Sequence, residues 1–152
     1  MISVLVTAAD DPKALTRLLT ALVPAAAEGL VRELAVIGAA GPERAIADDA
    51  GAELYDAFGP AFERAKGPWV AGLPLGPNLA PDWMELVIAH LAKEPLAPVR
   101  LVTRSGRLSL AAQPEGWLAP KPLAGSAAVV EQDLQRLARR GRTLRILDRS
   151  RR

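Results

Sequence analysis

The 152-residue chain contains no cysteine. That absence excludes a disulfide framework, a zinc–cysteine site, an iron–sulfur cluster and a thiol nucleophile. His90 is its single histidine, so a histidine-rich metal site is excluded as well. No run approaches the roughly 18 uninterrupted apolar residues that span a bilayer. The apolar start Met1-Ile-Ser-Val-Leu-Val-Thr7 has no basic flank and no cleavage site, so it does not read as a signal peptide. The expected location is cytoplasmic. Lysine is scarce too, four against fifteen arginines with abundant alanine, a usage typical of GC-rich bacterial genomes.

Half of the residues are hydrophobic and 24% are charged, a composition that buries a core and argues against disorder. The length suits one domain, residues 1–152, better than two. The net charge of +2 is an average over unlike halves. Residues 1–95 carry thirteen acids and seven bases, net −6, whereas residues 96–152 carry four acids and twelve bases, net +8.

Strand-like and helix-like segments alternate in the first half. Residues 2–6 are β-branched and apolar, suited to a strand buried on both faces. Asp11-Pro12 supplies an N-cap and a first-turn proline, and Ala14, Leu15, Leu18, Leu19 and Leu22 follow at helical spacing, with Pro24 expected to end or kink the helix. Further strands are expected over 34–37, 52–55 and 69–73, with helices over 42–50, 61–66 and 82–93. Gly51 is expected to cap the helix over 42–50, and Gly67 to close the one over 61–66. Residues 74–81, with three prolines, read as a loop. Such alternation means βαβ units and a mainly parallel sheet. In the second half, strands over 99–103 and 108–111 suggest a hairpin, residues 113–125 read as a loop, Ser126 opens a helix to Arg140 that Gly141 stops, and residues 143–147 form a last strand.

The order of these segments resembles the nucleotide-sugar-binding part of family 2 glycosyltransferases, which have the GT-A fold. Those enzymes begin I-S-V-[IV]-I-P-T-x-N-E, and this chain has Ile2-Ser-Val-Leu-Val-Thr-Ala-Ala-Asp10-Asp11. The family's R-E-[VI]-I-V-V-D-[GD]-G-S-T-D is met without a gap by Arg32-Glu-Leu-Ala-Val-Ile-Gly38-Ala-Ala-Gly-Pro-Glu43. A helix ending near A-D-x-A-G-A is matched by Ala47-Asp-Asp-Ala-Gly-Ala52. The A-x-G-D-W framework corresponds to Ala65-Lys-Gly-Pro-Trp69. The resemblance covers about residues 2–93 and implies a compact, shortened α/β domain of GT-A type. It also implies sugar transfer from a nucleotide-diphosphate sugar to a hydroxyl acceptor, and nucleotide contacts at Thr7, Asp10 and Gly38.

The departures from the family pattern carry the functional expectation. Gly38 stands where the family has an aspartate that contacts the base. Pro74, Leu75 and Gly76 stand where the family's D-x-D holds a divalent metal on the diphosphate. Mg²⁺ and Mn²⁺ prefer hard oxygen ligands, which these three side chains do not supply, so no metal or other cofactor is expected. The family's E-D motif, whose acid deprotonates the acceptor, is met by Glu131 and Asp133 only if one residue is deleted; without the gap two valines fall there. Three readings follow. The first is a degenerate, non-catalytic glycosyltransferase-like protein, a binding or scaffold partner that keeps nucleotide or nucleotide-sugar affinity. The second is a metal-independent transferase in which Arg104, Arg107 or Lys121 neutralises the diphosphate. The third is a module that binds anions or an anionic membrane surface through its basic C-terminal face, Arg139, Arg140 and Arg142 included.

Other candidates read more plainly. Gly38-Ala-Ala-Gly41 is a tight βα turn or a phosphate-binding turn. Asp11 is a helix cap. Trp69 and Trp83 belong to the core, with His90 at the edge of the same helix face, and Trp117 is a candidate for exposure. Eight arginines fall within residues 136–152 with Asp148 the only acid. No aromatic is interleaved, so base stacking on a nucleic acid is disfavoured. The remaining partners are an anionic membrane surface, a second copy or another protein.

Overall fold

The computed structural model describes residues 1–93, 96–104, 113–121 and 131–148. The expected strand over 108–111, Ser126, Arg107 and Arg149 to Arg152 lie outside them. Among the described residues the strands are β1 (Ile2–Thr7), β2 (Val31–Ile37), β3 (Glu53–Tyr55), β4 (Trp69–Leu73), β5 (Asn78–Leu79), β6 (Val99–Thr103), β7 (Gly116–Pro120) and β8 (Arg142–Asp148). The helices are α1 (Pro12–Ala27), α2 (Pro42–Asp49), α3 (Phe58–Arg64), α4 (Trp83–Lys93) and α5 (Glu131–Arg139). The strands form one sheet in the order β3-β2-β1-β4-β7-β6-β8-β5. β1, β2, β3 and β4 run parallel, as do β6 and β8, while β7 is antiparallel to both β4 and β6. The expected mainly parallel α/β architecture is therefore present.

Strand periodicity sorts the core into two layers. Ile2, Val4 and Val6 of β1 join Trp69, Ala71 and Leu73 of β4 beneath α1, α2 and α4, where Leu15, Leu18, Leu22, Ala47, Trp83 and Val87 are buried. The alternate residues Leu5 and Val70 face α3 and α5, against Phe62, Leu134 and Ala138. His90 is buried on the first face, edge-on to the Trp69 ring, with Nε2 3.1 Å from the Ala97 carbonyl oxygen.

Local chemistry sets the helix ends. The Asp11 carboxylate accepts the Ala14 N–H at 3.0 Å, and Pro12 opens α1. Pro24 does not end the helix: α1 runs on to Ala27. Thr20, whose carbonyl has no N–H partner on Pro24, and Pro24 itself lie on the exposed face of the helix. The stop is Gly29 at φ +78°, where Leu30 N–H bonds the Ala25 carbonyl and Gly29 N–H the Ala26 carbonyl, a Schellman closure. Gly51, at φ +71°, closes α2 in the same way.

Residues 113–125 do not form one continuous loop. β7 inserts between β4 and β6, and Trp117, far from exposed, is 1% accessible. The proline-rich stretch over 74–81 contains β5, which pairs with Leu147 and Asp148 of β8.

A half-buried polar staple ties the amino ends of the central strands. The Ser3 hydroxyl donates to Glu33 at 2.5 Å and accepts the Gly67 N–H at 2.8 Å, while the Lys66 N–H also donates to Glu33. Burial pushes the Glu33 carboxyl upward, but the Ser3 hydroxyl, the Lys66 N–H and charge, and the Gly67 N–H outweigh it. Together they hold the carboxyl below its ordinary value near 4.5. A depressed folded-state pKa adds stability that is present above the unfolded value and lost as pH falls through the folded one. Glu33→Gln is therefore expected to cost about 1 kcal/mol at pH 7 and to flatten the stability–pH curve below about pH 4.5. Urea titrations between pH 3 and 7 measure both; an unchanged acid limb excludes the staple as its source.

Candidate functional site at the carboxyl edge of the sheet

The chain leaves β1 toward β2 and β3 on one side and returns to β4 on the other. This reversal makes the gap beyond the carboxyl ends of β1 and β4 a topological switch point, where open α/β sheets bind ligands. Thr7 is in register with Ile37, and Val6 with both Val36 and Leu73. Three expected site elements therefore meet at one edge: Thr7 with Asp10, Gly38, and the segment Pro74, Leu75, Gly76. The Ala8 N–H to Ile37 carbonyl bond (2.9 Å) and the Gly38 N–H to Tyr55 carbonyl bond (2.8 Å) extend the ladder into these loops.

The edge is built from backbone in unusual conformations. Asp10, at φ +55°, is the non-glycine residue with positive φ among the described residues, and Gly38, Gly41 and Gly76 lie at φ +73°, +52° and +109°. A Cβ added at any of the three glycines would meet nothing within 4 Å. They face open space, so their value is conformational and not one of close packing.

Two acids approach this edge, Glu43 buried and Glu131 half-buried. Glu43, in the first turn of α2, is 2% accessible, and its Oε1 accepts the Asp11 N–H at 2.5 Å. Sequence reasoning missed it, because an acid in a first turn ordinarily reads as a surface charge favoured by the helix dipole. Glu131 opens α5 and accepts the Trp117 indole N–H at 3.2 Å. Trp117 is in turn in register with Gly72 of β4, which places Glu131 beside the last turn of backbone before Pro74. Asp133 does not join it: its side chain is 67% accessible and lies 3.9 Å from Arg136.

Of the cations proposed to replace a metal, Arg107 lies outside the described residues, and Lys121 and Arg104 are engaged elsewhere. Lys121 donates to the Glu63 and Ala65 carbonyls, and its N–H bonds Pro68 just before β4, at the end of the sheet away from the switch point. Arg104 pairs with Asp82 and donates to the Arg145 carbonyl at 2.8 Å. Of the basic face, Arg139 lies 3.6 Å from Glu115, which Arg100 grips with two hydrogen bonds. Arg100 first, then Arg139, hold the Glu115 carboxyl below its ordinary range, against the opposing effect of burial. Arg140 is exposed, and Arg142 opens β8 in register with Val99.

A groove of about 520 Å³ between α1, α2 and β2 is lined by Leu19, Val23, Ala26, Arg32, Ile46 and Asp49, among others. It lies toward the amino ends of the strands, and none of the expected site residues lines it. No helix among the described residues is long and apolar enough to cross a membrane.

No family model matches the chain, and no curated protein matches it in sequence. Solved structures do share its fold. Glucosyl-3-phosphoglycerate synthase from Mycobacterium tuberculosis, in complex with Mn²⁺, UDP and phosphoglyceric acid, superposes with a TM-score of 0.69 at 19% identity over 100% of this chain and 71% of that one. The same enzyme with Mn²⁺, UDP and glucosyl-3-phosphoglycerate gives 0.68 at 20% identity, covering 100% and 72%. A further mycobacterial protein gives 0.65 at 19% identity, covering 100% and 68%. The fold is GT-A.

These structures correct the expectation that no cofactor is involved. The synthase holds Mn²⁺ with UDP, and in another complex Mg²⁺ with UDP, which points to metal dependence in this fold. In this chain, the side chains of Pro74, Leu75 and Gly76 have no oxygen to give a metal. Among the described residues no three of His, Cys, Asp and Glu stand together in a way that fits one.

Proposed function

We propose that the chain is a single glycosyltransferase-like domain, residues 1–152, that binds a nucleotide or nucleotide-diphosphate sugar at the carboxyl edge of β1, β2 and β4 and does not transfer the sugar. The observation that carries this reading is the meeting of Thr7, Asp10 and Gly38 with Pro74, Leu75 and Gly76 at the switch point. The first three offer a hydroxyl, a carboxylate and an open backbone turn to a base and ribose. The second three bring no side-chain acid to the place where charge develops on a leaving diphosphate. The candidate base Glu131 has one carboxylate oxygen hydrogen-bonded to a buried indole, which holds its carboxylate beside β7.

UDP and UDP-glucose are the first ligands to try, since UDP-bound proteins share the fold. With Mn²⁺ present throughout, UDP at ten times its Kd should stabilise the protein by about 1.4 kcal/mol, a rise in Tm of about 3–6 °C. UDP-glucose incubated with phosphoglyceric acid and other hydroxyl acceptors should yield no glucosylated product by mass spectrometry. An unchanged Tm would remove the binding half of the proposal, and product formation the non-catalytic half.

A further inference from the structure

We infer that Glu43 is a positioning residue that sets the conformation of the loop between β1 and α1, and through it the nucleotide-binding edge proposed above, on which this inference rests. Two costly features meet in one hydrogen bond. Asp10 sits in the left-handed region at φ +55°, which L-residues other than glycine adopt at a penalty. Glu43 is buried in the first turn of α2, and its second carboxylate oxygen, Oε2, has no partner. A buried acceptor without a donor is rare and costly. The other oxygen accepts the N–H of Asp11, the residue that follows Asp10 and caps α1.

The bond reaches across 32 residues and joins the loop after β1, which borders the switch point, to the helix after the neighbouring strand β2. α1 already has its own N-cap and first-turn proline, so it does not need Glu43 to begin. What Glu43 adds is a fixed direction for the peptide between Asp10 and Asp11, a group that neither the β1 ladder nor the α1 ladder holds. Spending a buried carboxylate on that one peptide is poor design for stability and good design for presenting Asp10 in one conformation. The reach of the side chain matters more than its charge, because what the loop requires is an acceptor oxygen at one point.

The test compares wild type with E43A, E43Q and E43D by backbone amide exchange and UDP titration, with Mn²⁺ in every sample. E43A removes the acceptor, and E43D keeps the charge but withdraws it by one methylene. In both, the Asp11 amide should exchange at least tenfold faster while Val6 and Val36 keep their protection, and UDP should bind about tenfold more weakly. E43Q keeps an acceptor oxygen at the same reach and should stay within about threefold of wild type in both measurements. Wild-type exchange at Asp11 in E43A and E43D overturns the inference. So does a pattern in which E43D behaves as wild type and E43Q does not, since charge would then be the operative property. If E43A loses core protection, E43D against E43Q decides alone. If wild type does not bind UDP, the proposed function fails, while Asp11 exchange still decides whether Glu43 sets the loop.

Discussion

Gly72→Ala is expected to destabilise the protein by about 3 kcal/mol, at the upper end of overpacking costs. Gly72 lies in β4 between Leu5 and Trp117, and a Cβ built there overlaps the Trp117 indole at Nε1, Cε2 and Cζ2. The ring has nowhere to go. Phe58 meets it edge-on with centroids 6.0 Å apart, Phe62 lies at 6.5 Å, and Glu131 holds its N–H. Neither strand is free to slide, because β4 is parallel to β1 on one side while β7 is bound to β6 on the other. Urea denaturation of Gly72→Ala, Trp117→Leu and the double variant tests the overlap. The smaller side chain makes room for the new methyl, so the double variant should be more stable than the sum of the single losses predicts, by at least about 1 kcal/mol. Simple additivity would show that the strain arises elsewhere.

This contact also marks where the fold stopped being legible from sequence. β1, β2 and β4 are apolar runs between turn signals, and their mutual pairing follows from the βαβ rhythm. β7 reads Gly116-Trp-Leu-Ala-Pro120 among further prolines, and a run ending in proline is ordinarily demoted from a central strand. Here Pro120 is the last residue and pairs with Trp69 at the strand end, so its missing N–H falls where the ladder finishes. Burial of the whole strand on both faces comes from its insertion between β4 and β6, a long-range event that leaves no local pattern. Because β7 was hidden, Trp117 read as exposed and its bond to Glu131 was out of reach.

The candidate site was legible to the same depth. Thr7, Asp10 and Gly38 each follow a recognisable strand, and in a parallel sheet the residues after neighbouring strands must converge. Glu43 falls only on the terminal acid of the family's second-strand pattern, which does not say that it is buried. Its burial depends on how α1 packs against α2, and only its partner, a backbone N–H 32 residues away, distinguishes it from a solvated first-turn acid. The acids of the −6 half thus divide by environment and not by sequence position: Glu43 is buried and Glu33 half-buried, each bonded to distant backbone, while Asp48, Asp49 and Glu53 remain on the surface.

Gly141→Ala is expected to cost about 2–3 kcal/mol, against about 1–2 kcal/mol for Gly51→Ala, although both glycines follow helices and read alike as stop signals. Gly51 is at φ +71° with nothing within 4 Å of an added Cβ, so alanine there meets only the left-handed penalty. Gly141 is not among the positive-φ residues. A Cβ at that position would overlap the Pro98 carbonyl oxygen, lie 3.0 Å from its carbon and sit 3.4 Å from the Ala138 oxygen. These are backbone atoms on both sides, and neither side yields: Val99 and Ala138 are buried, and Val99 is in register with both Arg142 and Leu118. Relief would have to move the start of β6 or the end of α5, and α5 carries Glu131 at its other end. Thermal unfolding separates the two glycines by the size of the loss. A second observable is the Trp117 emission, which should change in Gly141→Ala and not in Gly51→Ala, because only the former shifts the helix against the indole. Equal losses in the two variants would show that backbone conformation, and not close approach to β6, sets the requirement at Gly141.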